Sequence, residues 1–204
     1  MAKNNPITIN HQKILVVEGN DEDTFFGELL AVCQINDIQI HNANGKDNIK
    51  NAITVLTKTN GFESVTSIAI IRDADDDHLA AFQSCVDSLS SVELQPPGQC
   101  SQFGSGTPRA GVFVLPKINC PGMLEDLLME TVSAHPVIPC VDNFMACVQS
   151  ANTPNPQNPA KARAKAFLAG MENSVPHVGV AATHGYWDLT HTCLDDLKVF
   201  LHLL

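Results

Sequence analysis

Short apolar runs alternate with segments of helical periodicity up to about residue 130 of the chain. The runs are rich in branched apolar residues and are bounded by polar residues or glycine, which is typical of a buried strand. The predicted strands lie at residues 13–17, 38–40, 66–71 and 112–115. Apolar residues at helical spacing predict helices over 21–33, 49–56, 79–89 and from 123 onward. This alternation predicts an α/β fold, with a mainly parallel sheet that helices cover on both faces.

Beyond residue 135 helical periodicity dominates, apart from the proline-rich stretch NTPNPQNP at 152–159. Helices are predicted at 141–150, 159–170 and 193–203, and the apolar run VGVAA at 178–182 is predicted to be a last strand. No internal repeat is visible. We therefore expect one domain over residues 1–204, with a core at about 10–135 and a mostly helical extension at about 136–204.

Composition narrows the class of protein. The 204 residues are 44% hydrophobic and carry a net charge of −10, which disfavours non-specific binding to nucleic acid or to an anionic membrane surface. A nucleic-acid enzyme stays open, because divalent cations bridge acidic residues to phosphate. No apolar run approaches the roughly 20 residues of a membrane span, and the first residues have no apolar signal segment. Seven single cysteines without a CxxC pair predict reduced thiols in the cytoplasm.

Acidic residues follow three of the predicted strands. Glu18 comes directly after the first strand, Asp73, Asp75 and Asp77 follow the third, and Glu125 follows the fourth. Ligands of an open α/β sheet bind beyond the carboxyl ends of its strands, so these acids are expected at one edge. If the segment 73–77 stays extended, its alternate carboxylates point to the same side.

Carboxylates that lie close together stay ionised when a cation lies among them, and hard oxygen ligands suit Mg²⁺ or Mn²⁺. Such a site favours phosphoryl transfer. A plainer interpretation is that the acids only cap loops and helices, which we expect for Asp21, Glu22 and Asp23 in the first turn of a helix. A capped loop stays an alternative for Asp73 and Asp75. The segment Gly45-Lys46-Asp47 is predicted to be a turn and helix cap rather than an anion site.

A strand that ends in Glu-Gly, followed by one that ends in Asp-x-Asp, resembles the Toprim domain of topoisomerases, bacterial primases, recombination-mediator proteins and overcoming-lysogenization-defect (OLD) nucleases. The combination of VEGNDEDTFF, IRDADDD, GMLEDLLME and GYWDLTH is similar, over nearly the whole chain, to an uncharacterised and mostly bacterial Toprim-like family near the OLD nucleases. The chain lacks a Walker motif, a zinc-binding cysteine set and a tyrosine placed like a topoisomerase nucleophile. These departures disfavour ATP-driven, primase and topoisomerase activities.

The resemblance implies a metal-dependent site with distinct roles. Glu18 would be a general acid or base, or a carboxylate near the metal, while Asp73 and Asp75 would hold Mg²⁺ or Mn²⁺. Asp77 and Glu125 would be further acidic members of the site. A late lysine would stabilise charge on the phosphate, and either Lys161 or Lys165 in PAKARAKAFLAG fits that role, with a solvated basic face as the alternative.

Two functions follow as expectations. The first is a divalent-metal-dependent phosphoryl-transfer enzyme, a Toprim-type nuclease that acts on DNA or RNA; hydrolysis of a small phosphate compound is a weaker variant. The second is a non-catalytic Toprim-fold module that binds nucleotide, nucleic acid or a protein partner. The absence of a dense lysine cluster favours the second, and no membrane partner is expected.

Overall fold

The structure is a computed structural model that describes residues 7–151 and 154–204. Two residues of the proline-rich stretch and the first six residues lie outside this description. One five-stranded sheet has the order β2-β1-β3-β5-β4, and its pairs are parallel except for the antiparallel pair of β4 with β5. The strands are β1 (Lys13–Val17), β2 (Ile38–Asn42), β3 (Ser67–Asp73), β4 (Gln102–Phe103) and β5 (Arg109–Leu115).

In the described part of the chain, four α-helices lie between or directly after the strands, and four more form the C-terminal part. Their bounds are α1 (Asn20–Val32), α2 (Ile49–Thr57), α3 (His78–Ser90), α4 (Leu124–Thr131), α5 (Ile138–Ser150), α6 (Pro159–Ala169), α7 (Val178–Thr183) and α8 (Asp195–Leu203). Buried residues of α2 and α3 form one apolar cluster with the sheet, and buried residues of α1, α4, α6, α7 and α8 form the other. The α/β fold with a mainly parallel sheet and helices on both faces is therefore confirmed.

The alternation of side chains along β3 decides which face each of its last residues meets. Ile68 and Ile70 pack into the cluster with α2 and α3, whereas Ala69 and Ile71 pack into the cluster with α1 and α4. Arg72 continues the first series and Asp73 continues the second. Two adjacent charged residues thus leave the end of β3 on opposite faces of the sheet.

The prediction of a strand at 178–182 was wrong, because Val178–Thr183 forms the helix α7. A short apolar run is compatible with a strand or with a buried helix, and periodicity alone does not separate them. The helix packs closely on α1: a Cβ on Gly179 would lie 2.5 Å from the main-chain oxygen of Asp21. The glycine therefore permits a helix contact that a larger residue would obstruct.

The seven cysteines are free thiols in the structure, and Cys85 is buried in the apolar core. Burial raises the pKa of the Cys85 thiol to about 12, which makes it unreactive at neutral pH. No helix within the described ranges combines the length and the apolar character that a membrane span needs.

Candidate functional site

Asp73 lies at the centre of the acidic site, at the carboxyl end of β3. Its side chain is buried, and its Oδ1 accepts a hydrogen bond of 2.9 Å from the main-chain N–H of Leu124 at the start of α4. Its own main-chain N–H donates to Oε1 of Glu18 over 3.0 Å. The last residue of β3 is thereby joined to the residue after β1 and to the first turn of α4.

The charges of three glutamates act on the Asp73 carboxyl. Burial raises the pKa of Asp73 well above its usual range, and the charges of Glu18, Glu22 and Glu125 raise it further. Burial also raises the pKa of each of these glutamates, with Glu125 adding to the rise at Glu22. Four acidic groups from the ends of β1 and β3 and the first turns of α1 and α4 therefore disfavour one another's ionisation.

Protein cations lie beside this group of acids. Nε of Arg72 is 3.5 Å from Oε1 of Glu18, and both side chains are almost buried. Nζ of Lys46 is 2.7 Å from Oδ2 of Asp75, and both of these side chains are partly exposed. Two of the acids that the sequence singles out are thus already paired with positive charge from the chain itself.

The segment after β3 is not extended, so the condition under which the side chains of residues 73, 75 and 77 would point one way is not met. Asp75 has a left-handed φ of 52°, and its main chain exchanges two hydrogen bonds with Gly122. The Asp77 carboxylate is the N-cap of α3 and accepts from the main-chain N–H groups of Leu79 and Ala80. The loop turns because these backbone contacts hold it. A metal role for Asp77 stays a prediction.

The two candidate lysines differ in their positions on α6. Nζ of Lys161 is 3.7 Å from Oε1 of Glu125. Burial lowers the pKa of Lys161, but the neighbouring carboxylates, Glu125 foremost and then Asp73, outweigh it, so that the pKa is raised overall. Lys165 is exposed and lines, together with Lys161, a cavity of about 430 Å³. The structure thus places Lys161 against the acids and Lys165 one helical turn further along.

Sequence reasoning missed three residues of the site. Glu22 lies three and four positions before the buried Phe25 and Phe26, so the helical pattern places it on the buried face of α1. Arg72 continues the buried alternation of β3. Lys46 has no comparable local signal, because its contact with Asp75 depends on how the ends of β2 and β3 are arranged around β1.

Asp21 and Asp126 both accept main-chain hydrogen bonds at the start of a helix, but Asp21 does not cap its own helix α1 as expected. Oδ1 of Asp21 accepts from the main-chain N–H of Gly179 over 2.9 Å, which caps the start of α7 rather than its own helix. Oδ2 of Asp126 accepts from the main-chain N–H of Met123 over 2.9 Å, at the start of its own helix α4. Both carboxylates support the helices that frame the site.

The donor atoms at this edge suit a hard divalent cation, since they are carboxylate oxygens beside a buried acid. In the described part of the chain no group of three or more His, Cys, Asp or Glu side chains converges as a ready-made metal site. Mg²⁺ generally binds through one or two carboxylates and keeps several waters, so the residues present fit it by their chemistry.

Fold and site together define an α/β protein with an acidic site at the carboxyl edge of a mainly parallel sheet. The chain belongs to the family described as "Protein of unknown function (DUF3226)", whose model matches residues 12–204. It is similar to a solved structure of the C-terminal region of the Xanthomonas campestris pv. campestris OLD protein, with 11% identity, 95% coverage of each chain and a TM-score of 0.47. No curated protein matches it.

Proposed function

We propose that this protein is a phosphoryl-transfer enzyme that depends on Mg²⁺ or Mn²⁺, and that it is a Toprim-type nuclease acting on DNA or RNA. The position of Asp73 carries the proposal. It is a buried carboxylate at a strand end, held by the main chain of Leu124, and the charges of three further acids disfavour its ionisation. Structural carboxylates are rarely buried without a paired cation, so this arrangement is unusual for a residue with only a structural role.

Asp73 would be the central ligand of the cation, with Asp75 and Glu125 as further acidic groups. A divalent cation bound there supplies charge that polarises a phosphate oxygen and stabilises the attacking or leaving oxygen. Oxygen ligands, a strand-end position and a neighbouring buried acid are all consistent with this role. Asp77 is a weaker candidate, because its carboxylate caps α3.

Glu18 would transfer a proton to or from the water or leaving group. Burial raises the pKa of its carboxyl, so its carboxylate is a better base than that of an exposed glutamate. The Asp73 N–H and the Arg72 guanidinium both approach Oε1, which fixes the orientation of the group. A proton-transfer group needs that orientation before its pKa can matter.

Lys161 would stabilise negative charge on the phosphate. The carboxylates around it raise the pKa of its ammonium group, so it stays protonated at neutral pH. A positive charge placed beforehand next to the reacting phosphate stabilises the transition state more than a mobile ion from solvent. Lys165 remains the second candidate, because it lines the same cavity.

The charge pairing favours a second candidate function, a non-catalytic module that binds nucleotide, nucleic acid or a protein partner. Lys46 already neutralises Asp75, and Arg72 already faces Glu18. Carboxylates that are paired with basic side chains in this way do not need a metal ion to neutralise their charge. This function predicts no cleavage and no dependence of binding on divalent cations.

Cleavage of plasmid and single-stranded DNA and RNA in Mn²⁺ separates the two functions. We expect the native protein to cut at least one substrate, chelation to stop it, and the variant Asp73→Asn to be inactive. The matched control Asp196→Asn changes an exposed acid on α8 and keeps the activity. Equal cleavage by the native protein and Asp73→Asn, or none by either with any substrate, contradicts the nuclease.

A further inference from the structure

A second cavity opens on the other face of the sheet from Asp73, between the start of α2 and the helix α3. It has a volume of about 530 Å³, and its lining includes Lys46, Lys50 and Arg72. These three residues are a quarter of the 12 lysines and arginines in a chain with a net charge of −10. Asp47 and Asp87 also line the cavity, so its charged side chains sum to one positive charge. The lining is therefore slightly positive in an acidic protein, before the carboxylates that face Lys46 and Arg72 from the acidic site are counted.

Arg72 forms the wall between this cavity and the acidic site. Its side chain is almost buried; Nε donates to the main-chain oxygen of Asp73 over 3.2 Å, and Nη1 donates to Oγ of Ser84 over 3.3 Å. Within the described residues these are two hydrogen bonds for a group with five N–H donors; Nε also faces Glu18 over 3.5 Å, and Nη2 lies 3.9 Å from Oδ2 of Asp75. A guanidinium held rigidly, with donors to spare, suits the paired oxygens of a phosphate.

Lys46 connects the cavity to the acidic site through Asp75. Its Nζ contacts Oδ2 of Asp75, while its side chain also lines the cavity and remains 47% exposed. This partly exposed side chain can therefore turn toward a ligand in the cavity without rearrangement of the main chain. An anion in the cavity would compete with Asp75 for this ammonium group.

We propose that the cavity lined by Lys46, Lys50 and Arg72 is a phosphate-binding subsite, which holds a substrate phosphate other than the one that reacts. Its role as a substrate subsite rests on the proposed function. A phosphate bound there draws Lys46 away from Asp75 and leaves that carboxylate available to a divalent cation. Phosphate and cation consequently strengthen each other's binding, and by thermodynamic linkage the two effects are equal.

The test is a titration with inorganic phosphate, without any metal, followed by the amide signals of the isotope-labelled protein. We expect saturable shifts confined to residues 46–50, 72–75 and 80–88, and an affinity about tenfold lower in Lys50→Gln, because one charge-assisted contact is lost. The matched control Lys58→Gln removes an exposed lysine of the same region outside the cavity and keeps the native affinity. Shifts elsewhere, no saturable shift, or equal affinities of Lys50→Gln and the native protein overturn the subsite.

Oligonucleotides with and without a 5′ phosphate identify the source of the phosphate. If the subsite binds a terminal phosphate, only the phosphorylated oligonucleotide binds Lys50→Gln more weakly than the native protein. If it binds an internal phosphate, both oligonucleotides lose affinity equally. Unchanged affinity of both strands in Lys50→Gln overturns the subsite. None of these measurements requires turnover, so a failed cleavage assay leaves the subsite standing, and a failed phosphate titration leaves the metal site standing.

Discussion

The main-chain N–H of Asp73 donates a hydrogen bond of 3.0 Å to Oε1 of Glu18, across 55 positions of the sequence. The bond joins the ends of the neighbouring parallel strands β1 and β3. It holds the Glu18 carboxylate near the buried Asp73 carboxyl, and the charge of Glu18 adds to the rise that burial causes in the pKa of Asp73. The fold thus keeps several acids close together at a cost in stability, which is a common property of functional sites.

Asp73→Asn is expected to stabilise the protein at neutral pH. The amide removes a buried charge near Glu18, Glu22 and Glu125, and its oxygen can still accept from the Leu124 N–H. We expect the free energy of unfolding to rise by about 0.5–2 kcal/mol, measured by urea denaturation. The control Asp196→Asn, at the exposed start of α8, should change it by no more than a few tenths. Destabilisation by Asp73→Asn would show that the carboxylate is structural.

The stability of the native protein should fall with pH in a way that depends on Asp73. Its pKa is raised in the folded state, so its stabilising contribution is complete below the unfolded value of about 4 and is lost as pH rises through the folded value. Denaturation curves measured from pH 4 to pH 8 should therefore show that the free energy of unfolding of Asp73→Asn exceeds that of the native protein by an amount that increases with pH. A difference in the free energy of unfolding that stays constant over this range contradicts the raised pKa.

Arg72→Met is expected to destabilise the protein by about 3 kcal/mol, because it leaves the nearly buried Glu18 without its cation. The change Glu18→Gln in the same chain should recover part of the loss, and a double-mutant cycle measures that coupling. Arg163→Met is the matched control, since its pair with Asp142 lies on the surface and is expected to contribute at most about 1 kcal/mol. Equal losses in the two arginine variants contradict the buried pair.

Two glycines give a direct check of the packing of α7 on α1. Gly179→Ala places a Cβ 2.5 Å from the main-chain oxygen of Asp21, so we expect a loss of about 1–3 kcal/mol. Gly27→Ala lies on the exposed face of α1 with no atom within 4 Å of the new Cβ, and it should stabilise by about 0.5–1 kcal/mol. Thermal denaturation compares them, and a neutral Gly179→Ala contradicts the close contact.

The sequence predicts the four parallel strands because apolar runs between polar boundaries mark them, as at β1, but it misses the two-residue strand β4. It does not show whether the run at 178–182 is a strand or a helix, since a short helix that packs closely at Gly179 buries the same apolar residues. The positions of the strand ends indicate Glu18, Asp73 and Glu125. The prediction for Glu22 assigns it only to the first turn of α1, although its helical spacing from Phe25 and Phe26 places it on the buried face of that helix. The contact of Lys46 with Asp75 joins distant loops, so local sequence patterns cannot reveal it.

The binding of Mn²⁺ to the purified protein, measured by electron paramagnetic resonance, tests the proposed metal site most directly. We predict one Mn²⁺ per chain in the native protein and in Asp196→Asn, and an affinity at least about tenfold lower in Asp73→Asn, because a ligand charge is lost. Competition by Mg²⁺ should displace the bound ion. Equal affinities in the native protein and Asp73→Asn, or no binding by either, would contradict a divalent-metal site at the end of β3.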